Sequence, residues 1–251
     1  MKVIKYGIVL IAIFILSGCN GIKPEIMKKN ISINIPNDEI KKHPVILFFQ
    51  GSGGNNSRAN KWASWFEQYG IASVIIDNAG VRGLNKLYGV NYGSDLAPTL
   101  SALKDNLELD LSRYAVMGFS RGGTAALESA SSLEKNQTSP DFVFSLYPGD
   151  SKGCPNSHND TTKVHVFYGD LDDWGKYKNI IGSCKSMASW NDNTTFHLLK
   201  NAHHGYDGDW DGGFNCCSGN YFQIEANEEA LINTQKIILK AIQRKWNIKK
   251  R

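Results

Sequence analysis

Seven short apolar runs punctuate the chain: Ile31–Ile35, Val45–Gln50, Ala72–Asp77, Tyr114–Met117, Phe142–Leu146, Val164–Tyr168 and Thr195–Leu199. Several are apolar at successive positions, Val45-Ile46-Leu47-Phe48-Phe49 above all. That pattern is expected of strands buried on both faces, as in a parallel sheet. Between them lie stretches with helical spacing. In Ser57–Tyr69, Trp62, Trp65, Phe66 and Tyr69 share a face, and Gly70 stands where a helix ends. Further helices are predicted at Ser94–Leu109, with Pro98 in an early turn, and at Arg121–Leu133, Lys176–Trp190 and Ala226–Trp246. Alternation of strand and helix predicts an α/β fold, a mostly parallel central sheet with helices on both faces. A chain of 251 residues with 41% hydrophobic and 21% charged residues suits one such domain, here residues 31–251.

The first residues do not belong to that pattern. Lys2 and Lys5 precede an apolar run from Gly7 to Leu16, too short to span a bilayer comfortably, which is the organisation of a signal peptide over residues 1–18. It ends in Leu16-Ser17-Gly18-Cys19, which resembles a bacterial lipoprotein box. The resemblance implies lipidation at Cys19, a tether over residues 19–30 and attachment to a membrane of the cell envelope, facing the periplasm or the exterior. A plain secretory signal or a short anchor is the alternative. The formal net charge of +4 includes Lys240, Arg244, Lys245, Lys249, Lys250 and Arg251 near the C-terminus, and is too modest to imply a nucleic-acid partner. With Cys19 set aside, Cys154, Cys184, Cys216 and Cys217 are an even number in an exported chain, compatible with two disulfides in any of three pairings. A Cys154–Cys184 bridge would tie the loops after two successive strands. No cysteine spacing resembles a zinc site.

The candidate chemistry begins at Gly118-Phe119-Ser120-Arg121-Gly122, a Gly-x-Ser-x-Gly motif between a strand and an alanine-rich helix. A serine on so sharp a turn needs small neighbours two positions either side, and Gly118 and Gly122 supply them. A serine hydroxyl needs a base to become nucleophilic, and the base needs an acid to hold its tautomer. Asp170, Asp172 and Asp173 follow one later strand; His203 and His204 follow the next. The order serine, acid, histidine is the one α/β hydrolases use.

With Gly169-Asp170-Leu171-Asp172 after one strand and His204-Gly205-Tyr206 after the next, the chain resembles the dienelactone hydrolase-like branch of the α/β hydrolases. Matched to that pattern, Ser120 is the nucleophile, Asp172 the acid and His204 the base, with no cofactor. Gln50-Gly51-Ser52-Gly53-Gly54 stands where that branch has His-Gly-x-Gly-Gly. The backbone N–H groups of Ser52 and Arg121 are then the expected oxyanion donors, and Gln50 in place of histidine is expected to support the loop. The resemblance implies hydrolysis of a small-molecule or glycan-linked ester. A peptidase or amidase would use the same residues, and a surface-anchored binding protein would keep the fold without catalysis. Trp174, Tyr206, Trp210, Phe214 and Tyr221 are candidates to line the pocket. Asp207-Gly208-Asp209-Trp210-Asp211-Gly212 matches the first half of a calcium loop, but Ser218 occupies the position of its bidentate glutamate, so no metal is assigned.

Overall fold

A computed structural model of the chain describes residues 22–54, 57–131, 133, 135–149, 154, 161–209, 211–216 and 219–248. The signal peptide, Cys19, Trp210, Cys217, Ser218 and residues 249–251 lie outside the described residues, as do the expectations attached to them.

The seven predicted strands form one sheet. They are β1 (Ile31–Asn34), β2 (His43–Phe49), β3 (Ala72–Ile76), β4 (Leu109–Phe119), β5 (Phe142–Leu146), β6 (Lys163–Gly169) and β7 (Thr194–Leu199). Their spatial order is β1-β3-β2-β4-β5-β6-β7, with β1 antiparallel to β3 and every other pairing parallel. Every residue of β2, β3 and β5 is buried. A strand has two faces, so burial at successive positions means that both faces are covered. The helices are α1 (Pro24–Lys28), α2 (Ser57–Glu67), α3 (Leu96–Leu103), α4 (Arg121–Ser129), α5 (Asp173–Lys176), α6 (Ile180–Trp190) and α7 (Glu228–Trp246). In α7, Ala230, Thr234, Ile238, Ile242 and Trp246 form a buried stripe at four-residue spacing, and the Asn227 side chain caps the first turn by accepting from the Ala230 N–H at 2.9 Å.

Four stretches differ from the sequence expectation. The predicted helix 94–109 ends at Leu103, because β4 begins at Leu109; its first half was hidden by the polar Asp110, Ser112 and Arg113, which bond to one another. The predicted helix 176–190 is broken at Asn179, whose φ is +58°, into α5, a 3-10 turn and α6. Residues 24–28, expected in the tether, form α1, whose Met27 is fully buried. Finally, the segment beyond His204 carries an antiparallel hairpin, β8 (Gly212–Cys216) and β9 (Asn220–Ile224), that the sequence pattern did not predict.

Cys154 and Cys184 are joined by a disulfide that fastens the segment after β5 to α6. Cys184 is buried against the Tyr168 hydroxyl, 3.8 Å from its sulfur.

Candidate active site

The carboxyl ends of β4, β6 and β7 bring the predicted residues together. Ser120 sits between β4 and α4 with φ +52° and ψ −122°, a conformation costly for any residue with a side chain. Two backbone approaches hold it there. A methyl group at Gly118 would lie 2.0 Å from the Gly122 carbonyl oxygen, and one at Gly122 would lie 2.3 Å from the Gln50 carbonyl oxygen. Only glycine fits at either position. The Ser120 N–H donates to the Leu146 carbonyl at 3.0 Å, and the Gly149 N–H donates to the Ser120 carbonyl at 3.0 Å, so the loop after β5 locks the bend from the far side.

The imidazole of His204 bridges the other two residues. Its Nε2 lies 3.0 Å from Ser120 Oγ, and its Nδ1 lies 3.0 Å from Asp172 Oδ2. Asp172 is fully buried, and its second oxygen accepts from the Gly175 N–H at 2.7 Å, capping α5. One oxygen thus anchors the carboxylate while the other faces the histidine. With the carboxylate accepting at Nδ1–H, the unprotonated Nε2 is left facing the serine hydroxyl, the tautomer that proton abstraction requires.

The neighbouring candidates point elsewhere. Asp173 accepts from the Gln223 N–H at 3.1 Å and so ties α5 to β9. Asp170 Oδ1 is buried and has no hydrogen-bond partner among the described residues. His203 Nε2 lies 3.7 Å from Glu225. The three aspartates of the calcium-like run are each engaged separately: Asp207 with Trp62 and Tyr147, Asp209 with Lys61, and Asp211 with the Ala226 N–H.

The glycine-rich loop lies beside the elbow. Gly54 N–H donates to the Gly51 carbonyl at 3.1 Å, the Leu87 N–H donates to the Ser52 carbonyl at 2.9 Å, and a methyl group at Gly51 would be 3.9 Å from Ser120 Cβ. Gln50 is buried and spans the loop, its amide donating to the Gly54 carbonyl and accepting from the Ala79 N–H, both at 3.4 Å. On the opposite side, a methyl group at Gly149 would lie 2.7 Å from Ser120 Oγ and 3.3 Å from the Arg121 nitrogen. The Arg121 N–H opening α4 and the serine oxygen therefore border one small space.

Aromatic rings roof the histidine. Phe214 of β8 is 6.0 Å from the His204 ring, and Trp174, Tyr177 and Phe222 complete a cluster with it, Trp174 and Phe222 meeting edge to face at 4.9 Å. The Trp174 indole donates to the Gly149 carbonyl at 3.1 Å. Of the other aromatic candidates, Tyr206 is buried and shares a hydrogen bond with Thr234, and Tyr221 is 60% exposed. Tyr177 and Phe222 were not singled out in the sequence. Nor were Arg58 and Tyr147, which lie directly behind the histidine.

No family model matches the sequence, and no curated protein is significantly similar to it. Solved structures are similar in fold. A protein assigned as a dienelactone hydrolase from Klebsiella pneumoniae superposes with a TM-score of 0.65 at 14% identity, over 85% of this chain and 92% of its own. A dienelactone hydrolase-like promiscuous phosphotriesterase from metagenomic libraries gives 0.60 at 16% identity, over 86% and 98%. An esterase of the planctomycete Thermogutta terrifontis gives 0.59 at 14% identity, over 85% and 86%. The chain has the α/β-hydrolase fold.

Proposed function

We propose that the protein is a serine hydrolase that cleaves carboxylic esters through an acyl-enzyme. The observation that carries this reading is the pair of 3.0 Å contacts His204 makes, to Ser120 on one nitrogen and to Asp172 on the other. In the reaction, Ser120 Oγ attacks the substrate carbonyl while His204 Nε2 takes its proton. The resulting imidazolium is stabilised by Asp172 and returns the proton to the leaving alkoxide. Water then repeats both transfers on the acyl group and restores Ser120. The carbonyl oxygen, negative in each tetrahedral intermediate, receives the N–H groups of Ser52 and Arg121. Donors fixed before the reaction need no reorganisation as charge develops, and one such donor is worth about 3 kcal/mol. The fold's esterase and dienelactone hydrolase relatives favour esters over amides. Turnover of short-chain p-nitrophenyl esters, lost in Ser120→Ala, with negligible turnover of aminoacyl p-nitroanilides is the expected result. The reverse preference makes the protein an amidase or peptidase, and absence of both activities leaves the binding role.

We further propose that the chain is exported and lipidated at Cys19, which places the site at a membrane surface of the cell envelope. Metabolic labelling with an alkyne fatty acid, abolished in Cys19→Ala, is the expected result; equal labelling of both proteins contradicts it.

A further inference from the structure

Behind the imidazole lies a buried ionic cluster that the proposed reaction does not use. Asp207, three residues beyond His204, is fully buried. It accepts from the Trp62 indole at 2.7 Å and from the Tyr147 hydroxyl at 2.5 Å, and Arg58 Nε lies 3.3 Å away. Arg58 Nη1 also donates to the Tyr147 hydroxyl at 2.8 Å, and Nη2 to the carbonyl of Gly205, the residue after His204, at 3.4 Å. Burial works against the Arg58 charge, but Asp207 and then Tyr147 outweigh it and hold the guanidinium above its ordinary value. Burial, the largest effect, likewise pushes the Tyr147 phenol well up, so the hydroxyl keeps its proton.

We propose that Asp207, Arg58 and Tyr147 form a positioning unit that fixes the His204 imidazole for proton transfer; the inference rests on the reading of Ser120, His204 and Asp172 given above. The hydrogen bond that His204 Nδ1–H donates to Asp172 sets the tautomer but leaves the ring free to swing about that bond. Opposing that swing is the Tyr147 ring, which meets the His204 ring edge to face at 4.8 Å and 65°, closer than Phe214 at 6.0 Å. Tyr147 itself has φ +38°, a conformation an aromatic residue holds only when its surroundings impose it. Its N–H donates to the Phe167 carbonyl at 2.7 Å, which holds the backbone, and its hydroxyl is held by Asp207 and Arg58, so both ends of the ring are fixed. A buried ion pair is a poor device for adding stability, because desolvation offsets the attraction. Here it joins α2, the loop after β5 and the loop after β7 around one imidazole. It also sets the local charge: with Asp207 neutralising Arg58, a guanidinium stacked 5.6 Å over the Tyr147 ring does not oppose formation of the imidazolium.

Among the described residues, the titratable and charged groups around His204 are Ser120 at the elbow, Asp172 before α5, Tyr147 after β5, Arg58 of α2, and His203, Tyr206 and Asp207 of its own loop, with Glu225 beyond β9 engaged by His203. The test measures p-nitrophenyl acetate kinetics and the His204 imidazole by NMR on the same proteins. Tyr147→Phe, which keeps the ring and the ion pair, is expected to lower kcat about tenfold with KM within about twofold, and to broaden the His204 Nδ1–H resonance. Asp207→Asn and Arg58→Gln should each lower kcat with KM within about twofold and broaden the same resonance, and the double variant should leave kcat low. Where a single variant does not fold, Tyr147→Phe and the double variant decide. Wild-type kcat and an unchanged imidazole resonance in Tyr147→Phe overturn the proposal, as do Asp207→Asn and Arg58→Gln proteins that fold with wild-type kcat and an unchanged resonance. If the wild type has no esterase activity, the catalytic reading fails, and the NMR measurements still decide whether these residues hold the ring.

Discussion

Replacing Asp172 by asparagine isolates the role of one oxygen atom. The Oδ1 atom of Asp172 accepts from the Gly175 N–H at 2.7 Å, and Oδ2 faces His204 Nδ1 at 3.0 Å. Asparagine fits the same space and caps a helix about as well as aspartate, so the substitution should cost less than about 1 kcal/mol of stability through the cap. The cap also dictates how the new amide sits: its oxygen must face Gly175 N–H, which turns the NH2 group toward His204. A donor at that place forces Nδ1 to be the acceptor and moves the imidazole proton to Nε2, where it points at Ser120 Oγ. The base then has no lone pair for the serine proton. Loss of the correct tautomer in an equivalent arrangement costs about 10⁴-fold in kcat, or about 5.4 kcal/mol of transition-state stabilisation. Steady-state hydrolysis of p-nitrophenyl acetate, with thermal unfolding measured alongside, is the assay. Asp170→Asn and Asp173→Asn should stay within about threefold of wild type. A folded Asp172→Asn protein retaining activity within tenfold of wild type refutes the reasoning.

Gly149→Ala should lower kcat/KM at least tenfold while leaving the protein folded, because the added methyl group would lie 2.7 Å from Ser120 Oγ; ester kinetics and circular dichroism check both halves. Reduction of the Cys154–Cys184 bridge, whose cysteines are 30 residues apart, should lower unfolding stability by about 3 to 4 kcal/mol on the loop-entropy model, measured by urea titration with and without reductant. His165 and His197 lie 3.0 Å apart, and both are held down to about 4, His165 by burial and then the charge of His197, His197 by burial. The unfolded chain therefore takes up protons below about pH 6.5 where the fold resists them until about 4. Their stabilising contribution is complete above 6.5 and is lost as pH falls through that window, by about 2 kcal/mol after discounting for their partial exposure. Unfolding in urea across pH 4–7 should show this slope, and His165→Phe should flatten it.

What the sequence made legible follows from the range of the interactions involved. The buried strands announce themselves locally, since burial on both faces leaves a run of apolar residues such as Val45–Phe49. The elbow is local in part: the steric demand on Gly118 comes from Gly122 in the same motif, whereas that on Gly122 comes from Gln50, at the end of β2. Asp172 and His204 were picked out through the strands they follow, and Asp172 was set apart from Asp173 by the spacing of the resemblance alone; the fold turns one toward His204 and the other toward Gln223. The positioning cluster was not legible, because Arg58 and Tyr147 are 89 residues apart and Tyr147 and Asp207 are 60 apart. Asp207 invited a different reading through its alternating aspartate neighbours, yet those side chains diverge toward separate partners. The hairpin β8–β9 escaped notice because Gly212, Gly213, Asn215 and Asn220 interrupt the alternation that marks a strand.

Covalent labelling with a fluorophosphonate, followed by peptide mapping, tests most directly whether the three converging side chains make Ser120 a nucleophile. The predicted result is a single adduct on the peptide carrying Ser120, absent in Ser120→Ala and strongly reduced in His204→Ala. Equal labelling of wild type and Ser120→Ala, or no adduct at all on a folded protein, contradicts the account.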